Sequence, residues 1–196
     1  AIDASTFTGD LTLNIAAGLL STGKADTSGV AQNVTITGGS GADKFILTDL
    51  VQAGDSINGG LGADTLVVGS GGVINSLSGV IKAIESVEVR GSNGAAIIVD
   101  FDKLPDATLT TVRNEGAAQV APLDAPAARA QVTTLSNLTA AQGVALVIQH
   151  SDTGSNGILQ NTLTADLKVN TGTADTMQLT IAEGYNTDPR FNFIFG

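Results

Sequence analysis

The chain has 196 residues, 42% hydrophobic and 14% charged, a balance that describes a folded chain because its apolar surface can offset chain entropy. A net charge of −10, from 19 acidic and 9 basic residues, excludes nucleic-acid binding through a basic, phosphate-contacting patch. The absence of cysteine excludes disulfides and thiolate metal sites, and no apolar run reaches 18 residues, so membrane insertion is not expected.

In chain order, the recurring signal is short alternation. Leu11, Leu13 and Ile15 alternate with polar residues, and so do Val34 and Ile36. Period two predicts strands, and the intervening clusters of Gly, Asn, Asp, Ser and Thr predict turns. The stretch around Val80, Ile81 and Ile84 reads as a helical turn. Val87 and Val89 resume the strand pattern. In VDFDKLPDATL, Pro105 limits any helix to a short piece. Residues 116–131 hold two of the four prolines and many alanines, and read as a loop or short helix that interrupts the strands. Strands are expected again in VTTL, GVALVIQ and ILQNTLTADLKV, the last with Leu167 and Val169, and around Met177, Leu179 and Ile181. The tail packs Phe191, Phe193 and Phe195 together, which predicts burial against a neighbour in this chain or the next. Aromatics make up only 4%, with no Trp and one Tyr (Tyr185), so the core must be aliphatic. The chain opens on AIDAST, without Met or a signal peptide, and reads as a segment or processed piece of a longer protein.

One stretch repeats itself. GGSGAD at 38–43 is followed by Lys44 and Phe45, and GGLGAD at 59–64 by Thr65 and Leu66. In each copy the glycines free the backbone to curl, so that carbonyl oxygens can face inward, and the aspartate adds a carboxylate. Calcium takes six to eight hard oxygen ligands in a forgiving geometry. One such turn supplies about half of that set. A second turn stacked on it supplies the rest. Gly38, Gly39, Ser40, Gly41 and Asp43 in one turn, with Gly59, Gly60, Leu61, Gly62 and Asp64 in the next, are therefore the candidate calcium ligands. Asp43 and Asp64 are expected on one edge, one circuit apart, with the ion between them. Gly54, Asp55 and Ile57 look like a worn copy of the unit on the opposite edge, which adds Asp55 as a candidate. An acidic chain gains from such ions, because they cancel repulsion between carboxylates.

The segments GGSGADKFI and GGLGADTLV resemble the nine-residue GGxGxDxUx unit (U large and apolar) of the repeats-in-toxin (RTX) calcium-binding β-roll. The match covers residues 38–68, about a sixth of the chain. With the Thr-rich strands and the phrase IKAIESVEVRGSNGAAIIVD, the chain is similar in style to the lattice-forming part of alphaproteobacterial surface-layer (S-layer) proteins. That resemblance implies calcium-loaded β-solenoid domains that tile the outer cell surface after type I secretion. Long toxin-type arrays carry many perfect repeats and this chain carries two, which favours a structural solenoid with a few calcium staples.

Other chemistry-bearing residues have plainer readings. Asp49, Asp152 and Asp175 read as surface or turn residues. His150, the single histidine, has no second His or Cys to share a metal, and reads as a strand-end residue. No G-x-S-x-G elbow is present, and the glycine-rich stretches lack the Lys and helix of a phosphate loop. A carboxylate pair for sugar hydrolysis would leave no local signature, but the aromatic platforms that carbohydrate sites lean on are almost absent.

The sequence therefore predicts an all-β, non-enzymatic protein. Residues 1–115 form a parallel β-solenoid or β-roll with Gly-Asp turns, 116–131 a loop, and 132–196 a second stacked β segment. The expected function is that of a structural subunit in a secreted, calcium-dependent surface assembly, an S-layer lattice or extracellular fibre. Its expected partners are other copies of itself and cell-surface polysaccharide. The alternative is an RTX folding and secretion module of an exported enzyme or adhesin, and a third reading is a β-helical polysaccharide-modifying enzyme.

Overall fold

The computed structural model describes residues 1–15, 33–91, 95–115, 132–144, 146–151, 162–168 and 180–182. Its strands, in chain order, begin with β1 (Ile2–Asp3), β2 (Thr12–Ile15), β3 (Thr35–Thr37), β4 (Lys44–Leu47), β5 (Ser56–Asn58), β6 (Thr65–Gly69), β7 (Val73–Ile74) and β8 (Val80–Lys82). They continue with β9 (Ser86–Gly91), β10 (Ile97–Asp100), β11 (Leu109–Glu115), β12 (Val132–Leu138), β13 (Leu146–Ser151), β14 (Thr162–Leu167) and β15 (Thr180–Ala182). Helix is confined to the 3-10 turn Phe101–Lys103 and to α1 (Ala140–Val144) among the described residues. None of the helices described is long and apolar enough to cross a membrane.

The protein is all-β, and its paired strands are parallel. Three sheets run in the orders β1-β3-β5-β8, β14-β12-β10-β7 and β15-β13-β11-β9-β6-β4-β2. Parallel neighbours cannot be joined by a tight hairpin and need a long crossover. Here a strand of another sheet serves as the crossover. From β2 to β6 the chain alternates between the seven-stranded sheet and the first sheet. From β9 onward it alternates between the seven-stranded sheet and the sheet that begins at β7. The seven-stranded sheet spans residues on both sides of 116–131, through the pairing of β11 with β13. The loop expected at 116–131, the Phe-rich tail, Asp152, Asp175, Val169, Met177 and Leu179 lie outside the described residues.

Parallel register places like residues over like, and this builds the core. Leu13, Phe45, Leu66 and Val87 form one row, and Ile15, Leu47, Val68, Val89 and Val112 another. Ile36, Ile57 and Ile81 face them from the first sheet, and Ile74, Val99 and Leu135 from the third. Apart from the partly buried Leu13, these residues are at most 1% exposed, and together they make one apolar cluster. Each such side chain contributes about 1.5–3 kcal/mol on burial, so the rows outweigh the glycine-rich turns between them.

The helical turn expected at Val80, Ile81 and Ile84 is a strand instead. Val80, Ile81 and Lys82 form β8, paired residue for residue with Ser56, Ile57 and Asn58. Ile81 and Ile84 enter the core and Val80 faces out. The three-residue spacing of Ile81 and Ile84 mimics a helix, but the two lie on either side of the tight turn into β9. Pro105 does limit helix as expected, since the 3-10 turn stops at Lys103.

Candidate functional site

The two glycine turns, 38–43 and 59–64, each carry the chain from the first sheet to the seven-stranded sheet, and they stack one on the other. Gly38 N–H donates to the Asn58 carbonyl at 2.8 Å, Leu61 N–H to the Gly39 carbonyl at 2.9 Å, and Thr65 N–H to the Asp43 carbonyl at 2.8 Å. The stack is tight enough to require glycine. A Cβ on Gly59 would collide with the Ala83 carbonyl, and one on Gly60 with the Gly39 carbonyl. Gly60 and Gly62 also adopt φ of +109° and +122°, which side chains disfavour. Gly38 and Gly41 meet the carbonyls of Gly59 and Gly9 in the same way. Ser40 and Leu61 sit at the exposed tips of the two turns, and Ser40 N–H donates to the Phe7 carbonyl at 3.0 Å.

The stack has two further layers. Phe7–Leu11 lies on one side, and the short turn Ala83–Glu85 on the other. Carboxylates tie the layers by accepting backbone N–H groups across the circuits. Asp43 Oδ1 accepts from Leu11 N–H at 2.9 Å, and Asp43 Oδ2 from Gly39 N–H at 2.6 Å. Asp64 Oδ1 accepts from Asp43 N–H at 2.7 Å, and Glu85 Oε2 from Asp64 N–H at 2.8 Å. Both of the last two steps span 21 residues. Asp10 and Asp106 make similar bonds at the margins, to Ala42 and Ala83 N–H.

Asp55 lies at a different turn, the one leading into β5, and does not join Asp43 and Asp64. Its Oδ1 accepts from Val34 N–H, 21 residues back, and its Oδ2 from Gln52 N–H, both at 2.8 Å. Asp43, Asp55 and Asp64 are 1%, 2% and 0% exposed. The first two have both oxygens engaged. Asp64 differs, because its Oδ2 is buried with no hydrogen-bond partner. Burial, and then the Asp43 and Glu85 charges on either side, push the Asp64 carboxyl above its ordinary range, while the Asp43 N–H bond opposes the shift.

This donor set suits a hard cation in part. Asp64 offers an uncommitted, buried carboxylate oxygen, and the adjoining carbonyls are hard oxygen donors of the kind calcium accepts. Among the described residues no three His, Cys, Asp or Glu side chains converge as a metal group, so a cation here depends on main-chain carbonyls. His150 lies in β13 opposite Asn114, and Asp49 closes its own loop through Leu50 N–H.

Sequence reading missed Asp10, Glu85 and Asp106, because none sits in a glycine-rich turn. The available signal was the interval: Glu85 follows Asp64 by the same 21 residues that separate Asp64 from Asp43. No family model, curated protein or solved structure matches this chain.

Proposed function

We propose that the chain is a parallel β-solenoid that acts as a structural subunit of a secreted, calcium-dependent surface assembly, an S-layer lattice or a related extracellular fibre. The observation that carries this reading is the stacking of GGSGAD on GGLGAD, with a buried, unpartnered carboxylate oxygen at Asp64. Parallel rows of aliphatic residues support it too, since they make a stiff body whose successive circuits are alike.

The repeated motif offers calcium Asp43, Asp64 and the carbonyls of the stacked turns, and of the two carboxylates only Asp64 has an oxygen left uncommitted. Calcium, when bound, supplies positive charge to a ridge where Asp43, Asp64 and Glu85 stand one circuit apart. The chain's own residues do the rest. The glycines let the turns approach, the carboxylates clamp N–H groups of neighbouring circuits, and the aliphatic rows exclude water. At low free calcium inside the cell the ridge repels itself, which suits export by type I secretion before folding. Millimolar calcium outside the cell then favours the folded, assembling form.

The test is negative-stain imaging of the purified chain in millimolar calcium, beside a chelated sample. Ordered sheets or fibres that disappear on chelation are the expected result. Dispersed monomers in both samples would remove assembly from this chain and favour an RTX module that serves an exported enzyme or adhesin.

A further inference from the structure

The two glycine turns share one sequence frame but differ in backbone at Gly60 and Gly62 and in the state of one carboxylate oxygen. Beside Gly38, the Gly59 carbonyl oxygen and Asp43 Oδ2 face the spot a Cβ would fill; beside Gly59, the Ala83 carbonyl oxygen and Asp64 Oδ2 do the same. At the first position the carboxylate oxygen is satisfied by Gly39 N–H at 2.6 Å. At the second, the matching residue Gly60 is turned to φ +109°, a conformation Gly39 does not take, and Asp64 Oδ2 is left without a donor. A buried, charged oxygen without a donor is costly, and a cation relieves it directly. The neighbour on that side is the glycine-free turn Ala83–Glu85. Glu85 places a second carboxylate next to Asp64, with Oε2 accepting from Asp64 N–H at 2.8 Å.

We infer that the cation binds at Asp64 Oδ2, between the GGLGAD turn and the glycine-free turn Ala83–Glu85, with the Ala83 carbonyl and Glu85 as its other protein donors. Asp43 and Asp55 are then not ligands. They are hydrogen-bond acceptors that join circuits, by way of Leu11, Gly39, Val34 and Gln52 N–H. The inference rests on the calcium reading above and moves the ion by one circuit from the place the repeated motif suggests. Two carboxylates and a carbonyl leave several positions of a calcium shell to water, which its loose geometry accepts.

The test is a calorimetric titration of the whole 196-residue chain with calcium alone, after chelator stripping. It compares the parent with Asp64→Asn, Glu85→Gln and Asp43→Asn, each checked for β content by circular dichroism. Asp64→Asn and Glu85→Gln should each weaken the tightest calcium site by about tenfold or more, while Asp43→Asn changes it by less than about threefold. Equal loss in Asp43→Asn and Asp64→Asn with Glu85→Gln unchanged would put the ion between the two glycine turns. That result overturns this placement and leaves the calcium reading standing. If Asp43→Asn does not fold, Glu85→Gln decides alone, with unchanged affinity overturning the placement and a tenfold loss supporting it. No calcium uptake by the parent at millimolar concentration would overturn both.

Discussion

Circuits are joined differently in the two halves of the molecule. In residues 33–91 the ties are carboxylates that accept backbone N–H groups 21 residues away: Asp55 to Val34, Asp64 to Asp43, Glu85 to Asp64. Beyond residue 100 carboxamides tie longer circuits, beside an ion pair between Lys168 and Asp102 that spans 66 residues. Asn137 Nδ2 donates to Asp100 Oδ1 at 2.8 Å over 37 residues. Gln142 Nε2 donates to the Leu104 and Ala107 carbonyls, 38 and 35 residues back. A carboxylate stacked on carboxylates repels its neighbours and responds to cations and protons. A carboxamide does neither. The first half therefore stacks carboxylate on carboxylate, while in the second half Asp100 and Asp102 each face a donor, Asn137 Nδ2 and Lys168 Nζ.

The comparison can be broken first at Gly59. Gly59→Ala drives a Cβ into the Ala83 carbonyl, which is backbone and cannot move aside cheaply. A loss of at least about 3 kcal/mol is expected by urea unfolding, with the first half failing before the second. Calcium should act on the same half in the opposite direction. At about 100 times its dissociation constant it should add about 2.7 kcal/mol to the parent, and much less to Asp64→Asn, as read by thermal melts with and without chelator. Gln142→Ala tests the other half. It strips donors from two carbonyls in a buried place and should cost about 2 kcal/mol, equally with and without calcium. Ala83→Gly sharpens the picture by a smaller step. Ala83 holds φ of 50°, a left-handed conformation that penalises a side chain, so the glycine should stabilise by about 0.5–1 kcal/mol.

The smallest effect expected is on pH. The Asp64 carboxyl titrates above its ordinary range when folded, so between the two values the folded chain binds more protons than the unfolded one. The penalty from this group is fully present above the raised value and is relieved as pH falls through it. Calcium-free parent protein should therefore gain stability as pH is lowered from neutral into that window. Asp64→Asn should flatten this gain in a series of denaturant melts.

How much of this was readable in the sequence follows from what each signal depends on. Alternation announced β2, β3 and β9 through Leu13 and Ile15, Val34 and Ile36, and Val87 and Val89, because one face of each strand enters the core. The glycine turns announced themselves because close backbone approach admits no other residue. Glu85 stayed hidden, since the turn before it is three residues shorter than its neighbour and carries no glycine to mark it. Helix α1 also went unread, although Thr139 and Gln142 form a capping pair at its start. Gln142 N–H reaches Thr139 Oγ1 at 3.3 Å, and Thr139 N–H reaches Gln142 Oε1 at 2.9 Å. That signal is local and was masked by strand patterns on both sides. The role of each carboxylate could not be read at all, because it depends on which N–H of the next circuit lies within reach. Asp43 and Asp64 stand in identical GGxGAD frames, yet one has both oxygens satisfied and the other does not.

The central claim is that the stacked carboxylates of Asp43, Asp64 and Glu85 confine the response to calcium to one half of the molecule. Amide hydrogen exchange, followed with calcium and with chelator, reads this directly. Protection should rise with calcium at residues 38–91, above all at the N–H groups of Asp43 and Asp64, and stay unchanged at 132–144. A uniform rise along the chain, or no change at 38–91, would contradict it.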